Sequence, residues 1–177
     1  MAIYRWGDVC QRAGVAGEVD EIFFGASETK SFESDRARLA FRERWLGRYL
    51  MHFAAHAYVA IADDGHVAGY VVGSLRDPAR DPLFQDLPHF AELRHLTARF
   101  PAQLHVNVGD RFRGLGLGAR LVETFVAGAS EAGARGVHVV TARGMRNVGF
   151  YLANGFREEG ILESNGRVLL LLGRSLT

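Results

Sequence analysis

The spacing of apolar residues changes along the chain, and each change marks a new element. In SDRARLAFRERWLGRYLMHFAAH, Leu39, Trp45, Leu46, Tyr49, Leu50 and Phe53 recur at helical spacings. That pattern predicts a helix capped at its start by Ser34 or Asp35. A shorter helix is expected over about Val19 to Phe24. The period then drops to two. AYVAIADDGHVAGYVVGSL reads as a hairpin, roughly 57–62 with 67–75, around the turn Asp63-Asp64-Gly65. RDPARDPLFQDLPHFAELRHLTARFPA holds all 4 prolines. It reads as a surface excursion with a short helix near 89–97, long enough either to have a job or to be filler. QLHVNV is a strand, RGLGLG a turn, and LGARLVETFVAGASEAG an amphipathic helix. Leu117, Leu121, Val122, Phe125, Val126 and Ala129 share one face of that helix, and Gly133 stops it. VHVVTA is a strand and RNVGFYLANG a short helix. FREEGILESNGRVLLLLGRS is a closing hairpin with its turn at SNGR. The order α, ββ, βαβ, αββ predicts an α/β fold in a single domain, 1–177, with a mixed, partly antiparallel sheet.

Composition narrows the function classes. With 48% apolar residues a sizeable core is expected. A net charge of +1 argues against a nucleic-acid partner, which usually meets a basic excess. Cys10 is the only cysteine, so no intramolecular disulfide is available, which suits a reducing cytoplasm. MAIYRWGDVCQRAG lacks the apolar centre of a signal peptide, and no apolar run reaches the ~20 residues of a spanning helix. The expectation is a soluble, cytoplasmic protein with no membrane partner. His105 and His138 stand on neighbouring predicted strands, but two ligands without a third make no metal site. Each is a base candidate or a hydrogen-bonded structural histidine.

The chemistry concentrates in FRGLGLGARL, 112–121. A strand, a glycine-rich turn and a helix together make an anion site, because the free N–H groups of the first helical turn point outward along the dipole. The Gly-Lys-Ser/Thr of a nucleoside-triphosphate loop is absent. Gly114, Gly116 and Ala119 satisfy G-x-G-x-x-A. That pattern normally opens a long parallel fold, however, and the next strand ends in TARG without an acidic residue for a ribose. An NADP-linked oxidoreductase is therefore a distant third reading.

Arg113, Gly116 and Gly118 also fit Arg/Gln-x-x-Gly-x-Gly/Ala, and one helix and one strand later comes FYLANGF, 150–156. With these two spaced motifs the chain resembles the GNAT family of acyl-CoA-dependent N-acetyltransferases, most sharply over about 103–157. A narrower similarity, over FPAQLHVNVGDRFRGLGLGARLVETF and GVHVV, is to the acetyltransferase-like domain linked to O-GlcNAc hydrolases and its bacterial relatives. The resemblance implies a GNAT-like mixed, partly antiparallel central sheet flanked by helices. It implies transfer of an acetyl group from acetyl-CoA to a primary amine by direct attack, with no metal. The backbone of Val106 and Val108, on either side of Asn107, would pair with the pantetheine arm as LHVNV splays from VHVVT. The amides of Arg113, Gly114, Leu115, Gly116, Leu117, Gly118 and Ala119 would hold the pyrophosphate. Tyr151 would stand near the sulfur as general acid, with Asn147 and Phe150 beside the CoA tail. The acceptor would be a small-molecule or peptide amine, with Phe23, Phe24 and Glu33 in the region where family members bind it. Family members are often homodimers.

The chain also departs from the family pattern. Gly144 stands where the family usually has asparagine, Asn147 takes a small-residue position, and Asn107 takes an aspartate position of the hydrolase-linked group. Asparagine is no base. A non-catalytic acyl-CoA-binding module therefore stays open as the alternative.

Overall fold

The computed structural model describes every residue except Asn165 and Thr177. In chain order the elements are β1 (Ala2–Arg5), α1 (Trp6–Val9), α2 (Val15–Ala26), α3 (Asp35–Arg42), a π-helical turn (Glu43–Gly47), α4 (Arg48–His52), β2 (Tyr58–Ile61), β3 (Val67–Ser74), α5 (His89–Glu92), α6 (Arg94–Thr97), β4 (Ala102–Val108), α7 (Leu117–Glu131), β5 (Gly136–Ala142), α8 (Arg146–Ala153), β6 (Arg157–Ser164) and β7 (Arg167–Ser175). The strands form one 7-stranded sheet in the order β1-β2-β3-β4-β5-β7-β6. β4 and β5 run parallel, while β1–β2, β2–β3, β5–β7 and β6–β7 pair antiparallel. This is the mixed α/β architecture that the sequence predicts. The chain divides into two compact units, residues 1–73 with 105–125 and residues 74–104 with 126–177.

In the first unit, β1 is a 4-residue strand with no alternation long enough to reveal it in the sequence. α2 starts at Gly14, whose φ of 85° only glycine adopts freely, and runs well beyond the expected 19–24. Ser34 caps α3, its Oγ accepting from the Ala37 amide at 3.1 Å. The long helix expected to follow is interrupted by the π turn. One extra residue in a turn rotates the apolar stripe, so Leu39 before it is 60% exposed while Leu46 within it and Tyr49 after it are fully buried. The β2–β3 hairpin forms as expected, with Gly65 at φ 86° in its turn. Gly69 lets β3 lie against β4, because a Cβ there would sit 2.8 Å from the Asn107 carbonyl oxygen.

The second unit overturns one expectation. The proline-rich stretch before β4 is not a surface excursion, since Phe84, Leu87, Phe90, Leu93, Leu96 and Phe100 are all buried. Leu93, Leu96 and Phe100 pack with Leu171 of β7, flanked by Val140 and Leu162. α7 ends before Gly133, which has φ 81° as a helix stop requires. β6 and β7 form the closing hairpin, with Gly166 at φ 74°; Asn165 of the expected SNGR turn lies outside the described residues.

Candidate cofactor and catalytic site

The glycine-rich turn is held from below and left open above. The Gly109 amide donates to the Ala68 carbonyl at 2.9 Å, and a short 3-10 turn over Asp110–Phe112 follows. Arg113 fastens this turn to its own strand. Its amide donates to Asp110 O at 3.3 Å, its Nε donates to Val108 O at 3.2 Å, and its guanidinium meets the Asp110 carboxylate at 2.9 Å. Gly114 and Gly116 then take φ values of 77° and 74°, and a Cβ at either would meet no atom within 4 Å. The glycines are thus needed for the left-handed backbone, and the space before them is clear. The Gly116 carbonyl accepts from the Arg120 amide at 3.2 Å, which begins α7. Leu117 and Leu121 are buried and anchor that helix, while Leu115 is 68% exposed. No described residue accepts a hydrogen bond from the amides of residues 114–119. Because the Arg113 amide is already engaged, the open run starts one residue later than the sequence motif. Several unpaired donors converge at the positive end of a 15-residue helix, the arrangement that binds phosphate oxygens.

β4 approaches this turn. Its parallel ladder with β5 consists of Ala102↔Val137 and Gln103↔His138, so Val106, Asn107 and Val108 lie beyond the last ladder pair. The Asn107 side chain is engaged, its Nδ2 donating to the Tyr70 hydroxyl at 2.7 Å. Tyr70 escapes notice in the sequence, where it is one apolar residue of a strand; burial raises its pKa well above the ordinary phenol value. His105 lies within 3.1 Å of the Tyr49 hydroxyl through Nε2, and the rings of Tyr49 and Trp45 meet it edge-on at 5.1 Å and 5.8 Å.

In the second unit, Tyr151 sits on α8 between the rings of Phe150, at 5.1 Å, and Phe156, at 5.3 Å. It is 5% exposed, and burial alone raises its pKa, so the phenol keeps its proton throughout the neutral range. Its hydroxyl makes no hydrogen bond to any described residue. Asn147 is tethered to β5, its Oδ1 accepting from Thr141 Oγ1 at 2.9 Å. Phe150 is half-buried and its carbonyl takes the Asn154 side chain at 2.7 Å. Gly144, where the family usually has asparagine, holds φ 85° in the β5–α8 turn, which explains glycine there. His138 is fully buried, with Nδ1 against the Phe100 carbonyl, and desolvation pushes its pKa down to about 4. It is a neutral, structural imidazole.

The early helical region divides as well. Phe23 is buried in an aromatic cluster, its ring 5.5 Å from that of Phe41, and Glu33 is exposed. Phe24 and Phe32 wall a cavity of about 410 Å³ with Lys30, Asp35 and Arg38 around it, and the Arg38 guanidinium lies 3.7 Å over the Phe24 ring. Among the described residues no three histidine, cysteine, aspartate or glutamate side chains are placed to hold a metal, and no helix is long and apolar enough to cross a membrane.

The fold recurs in solved structures. SsHAT matches with a TM-score of 0.76 at 21% identity, over 99% of this chain and 98% of that one. The ribosomal-protein-alanine N-acetyltransferase of Brucella melitensis matches with a TM-score of 0.61 at 19% identity, over 99% of each chain. A Bacillus anthracis acetyltransferase, solved in complex with acetyl coenzyme A, matches with a TM-score of 0.51 at 17% identity, over 67% of this chain and 61% of that one. The family model "Acetyltransferase (GNAT) family" matches residues 19–156, and by that match the chain belongs to the GNAT acetyltransferases.

Proposed function

We propose that the protein is an acetyl-CoA-dependent N-acetyltransferase acting on a primary amine by direct attack. The observation that carries this reading is the run of unpartnered amides over residues 114–119 at the N-terminus of α7. Its donors suit the two adjacent phosphates of coenzyme A, and the clear space at Gly114 and Gly116 admits them. The peptide groups of Val106 and Val108, beyond the last β4–β5 ladder pair, would pair with the amides of the pantetheine arm. Asn147 and Phe150 would flank the CoA tail. Tyr151 would give a proton to the departing sulfur, a role supported by a phenol that stays protonated and has no protein partner. No residue of the chain need become acylated. The acceptor is a small-molecule or peptide amine, and the protein would act in the cytoplasm, as its single cysteine suits. A homodimer is consistent with the family's habit.

A second reading has one observation in its favour. Asn107 cannot take a proton and its side chain is committed to Tyr70. An acyl-CoA-binding module without catalysis would need no base at all. Calorimetry with CoA, run beside thiol release from acetyl-CoA over a panel of amines, separates the two. The first reading expects both heat and thiol, with Tyr151→Phe lowering turnover by about 100-fold while CoA still binds. Heat without thiol selects the binding module. No heat with CoA, or displacement of CoA by NADPH, removes both.

A further inference from the structure

β3 grips residue 107 of β4 from both faces of the sheet. Neighbouring residues of a strand point to opposite faces, so Gly69 and Tyr70 act from different sides. On one side, a Cβ at Gly69 would sit 2.8 Å from the Asn107 carbonyl oxygen, 3.2 Å from Val108 Cα and 3.3 Å from Leu121 Cδ1. Glycine lets this peptide, and the α7 helix that begins at the cradle, lie so close to β3. On the other side, the Tyr70 hydroxyl takes the Asn107 side-chain amide at 2.7 Å. Tyr70 is 1% exposed, and Asn107 is the one described residue bonded to its hydroxyl. A phenylalanine would fill the same space without the cost of burying a hydroxyl. What the phenol adds is its hold on Asn107.

Asn107 Cα joins two peptide groups. One carries the Val106 carbonyl and the other the Val108 amide, so fixing Asn107 fixes both. In a planar trans peptide the oxygen and the following Cα lie on one edge, and the N–H points from the other. Asn107 O and Val108 Cα face Gly69, so the Val108 N–H points away from β3. We propose that Tyr70 positions the outer half of β4 to receive the pantetheine arm of CoA, acting through Asn107; this rests on the reading above that the protein binds CoA. With its carbonyl against Gly69 and its side chain on Tyr70, Asn107 has little freedom in φ and ψ. The Val106 carbonyl and Val108 amide are then in place before the arm arrives, which lowers the conformational cost of binding it. Burial keeps the phenol protonated, with Asp20 adding to that effect and Arg42 opposing it, so the hydroxyl stays a neutral partner of the amide. The diphosphate has donors of its own in the amides of residues 114–119, so the two halves of CoA can be weighed separately.

The test is calorimetry on the full chain with two ligands, CoA and 3′-phospho-ADP, which is CoA cut off at its diphosphate. The weaker ligand is measured by displacement of CoA. Tyr70→Phe should weaken CoA by about 5- to 10-fold, the worth of one hydrogen bond, and leave 3′-phospho-ADP within about 2-fold. Asn107→Leu should do the same. The double variant should lose no more than either single one, because the two side chains act as a unit. Equal losses for both ligands would mean that the pair only supports the fold, and would overturn the proposal. Unchanged CoA affinity in both single variants, or additive losses in the double variant, would overturn it too. These outcomes leave the CoA reading intact, whereas wild type that binds neither ligand overturns both. Should Tyr70→Phe fail to fold, Asn107→Leu decides by the same two affinities.

Discussion

Residues 109–119 run from the end of β4 into α7 and residues 75–101 join β3 to β4, and both are rich in residues that break helices. They fold to opposite ends. The first keeps Leu115 outside, places Gly114 and Gly116 in the left-handed region, and leaves the amides of 114–119 without protein acceptors. The second turns Phe84, Phe90, Leu93, Leu96 and Phe100 inward and closes its backbone on itself through a succession of short turns, such as Phe84 N to Asp81 O at 3.0 Å and Leu96 N to Leu93 O at 2.8 Å. Glycine and proline account for the contrast. Glycine opens conformations that aim amides outward, whereas proline fixes φ and helps a short segment hold one compact path. A connection with open donors leaves them available to a ligand, and one with closed donors and inward rings is built as core.

The sharpest way to break this comparison is Phe100→Ala. The Phe100 ring lies where Cβ atoms at Gly136 and Gly173 would approach to 2.6 Å and 2.8 Å, so those two glycines make its seat. Removing the ring leaves a cavity that two flanking strands cannot fill. The expected loss is about 3–5 kcal/mol of unfolding free energy, read from the urea midpoint. A change within about 0.5 kcal/mol would put the segment back among surface loops. CoA binding per folded molecule should not change.

The mirror experiment is Gly116→Val. A β-branched residue at φ 74° is strained, and relief of that strain turns the amides of the cradle away from their common focus. CoA affinity should fall by about 100-fold, equivalent to about 2.7 kcal/mol, as measured by calorimetry. The urea midpoint should move less than for Phe100→Ala. An unaltered affinity would mean that the open amides are not where the diphosphate binds.

The two stretches also differ in how far the sequence exposed them. The cradle was readable because its residues obey a rule of spacing, Arg113, Gly116 and Gly118 before an apolar helix, and because backbone needs dictate glycine. The hairpin around Gly65 and the stop at Gly133 were readable for the same reason. In 75–101 the apolar residues follow neither a period of two nor a sustained 3.6, since the helices are only 4 residues long. Burial was then invisible, and prolines suggested a surface. The π turn was hidden too, because an inserted residue in a helix leaves no compositional mark. Leu39 was accordingly placed on the core face although it points to solvent. Of the candidate site, Tyr151 is singled out by the FYLANGF motif, whereas Tyr70 and Tyr49 look like ordinary core residues until their hydroxyls are seen facing Asn107 and His105.

The smallest effect separates the two stretches by pH. His138 of β5 holds the packed segment, with Nδ1 on the Phe100 carbonyl and its ring 5.8 Å from that of Phe90. Its pKa, about 4 when folded, is below the 6.5 of a free imidazole chiefly through burial, with Asp77 opposing that shift and His89 adding to it. Between those two values the unfolded chain binds the proton and the folded chain does not. The stabilisation is therefore fully present above pH 6.5 and is lost as pH falls towards 4. From pH 7 to 5 the loss should be about 2 kcal/mol from this residue. His138→Gln cannot take up that proton, so its unfolding free energy should change less over the same interval, even where its overall stability is lower. Because the cradle contains no titrating group in this range, CoA affinity measured on folded protein should not follow the same curve. Parallel pH slopes in His138→Gln and wild type would show that this imidazole is not what ties the packed segment to the neutral range.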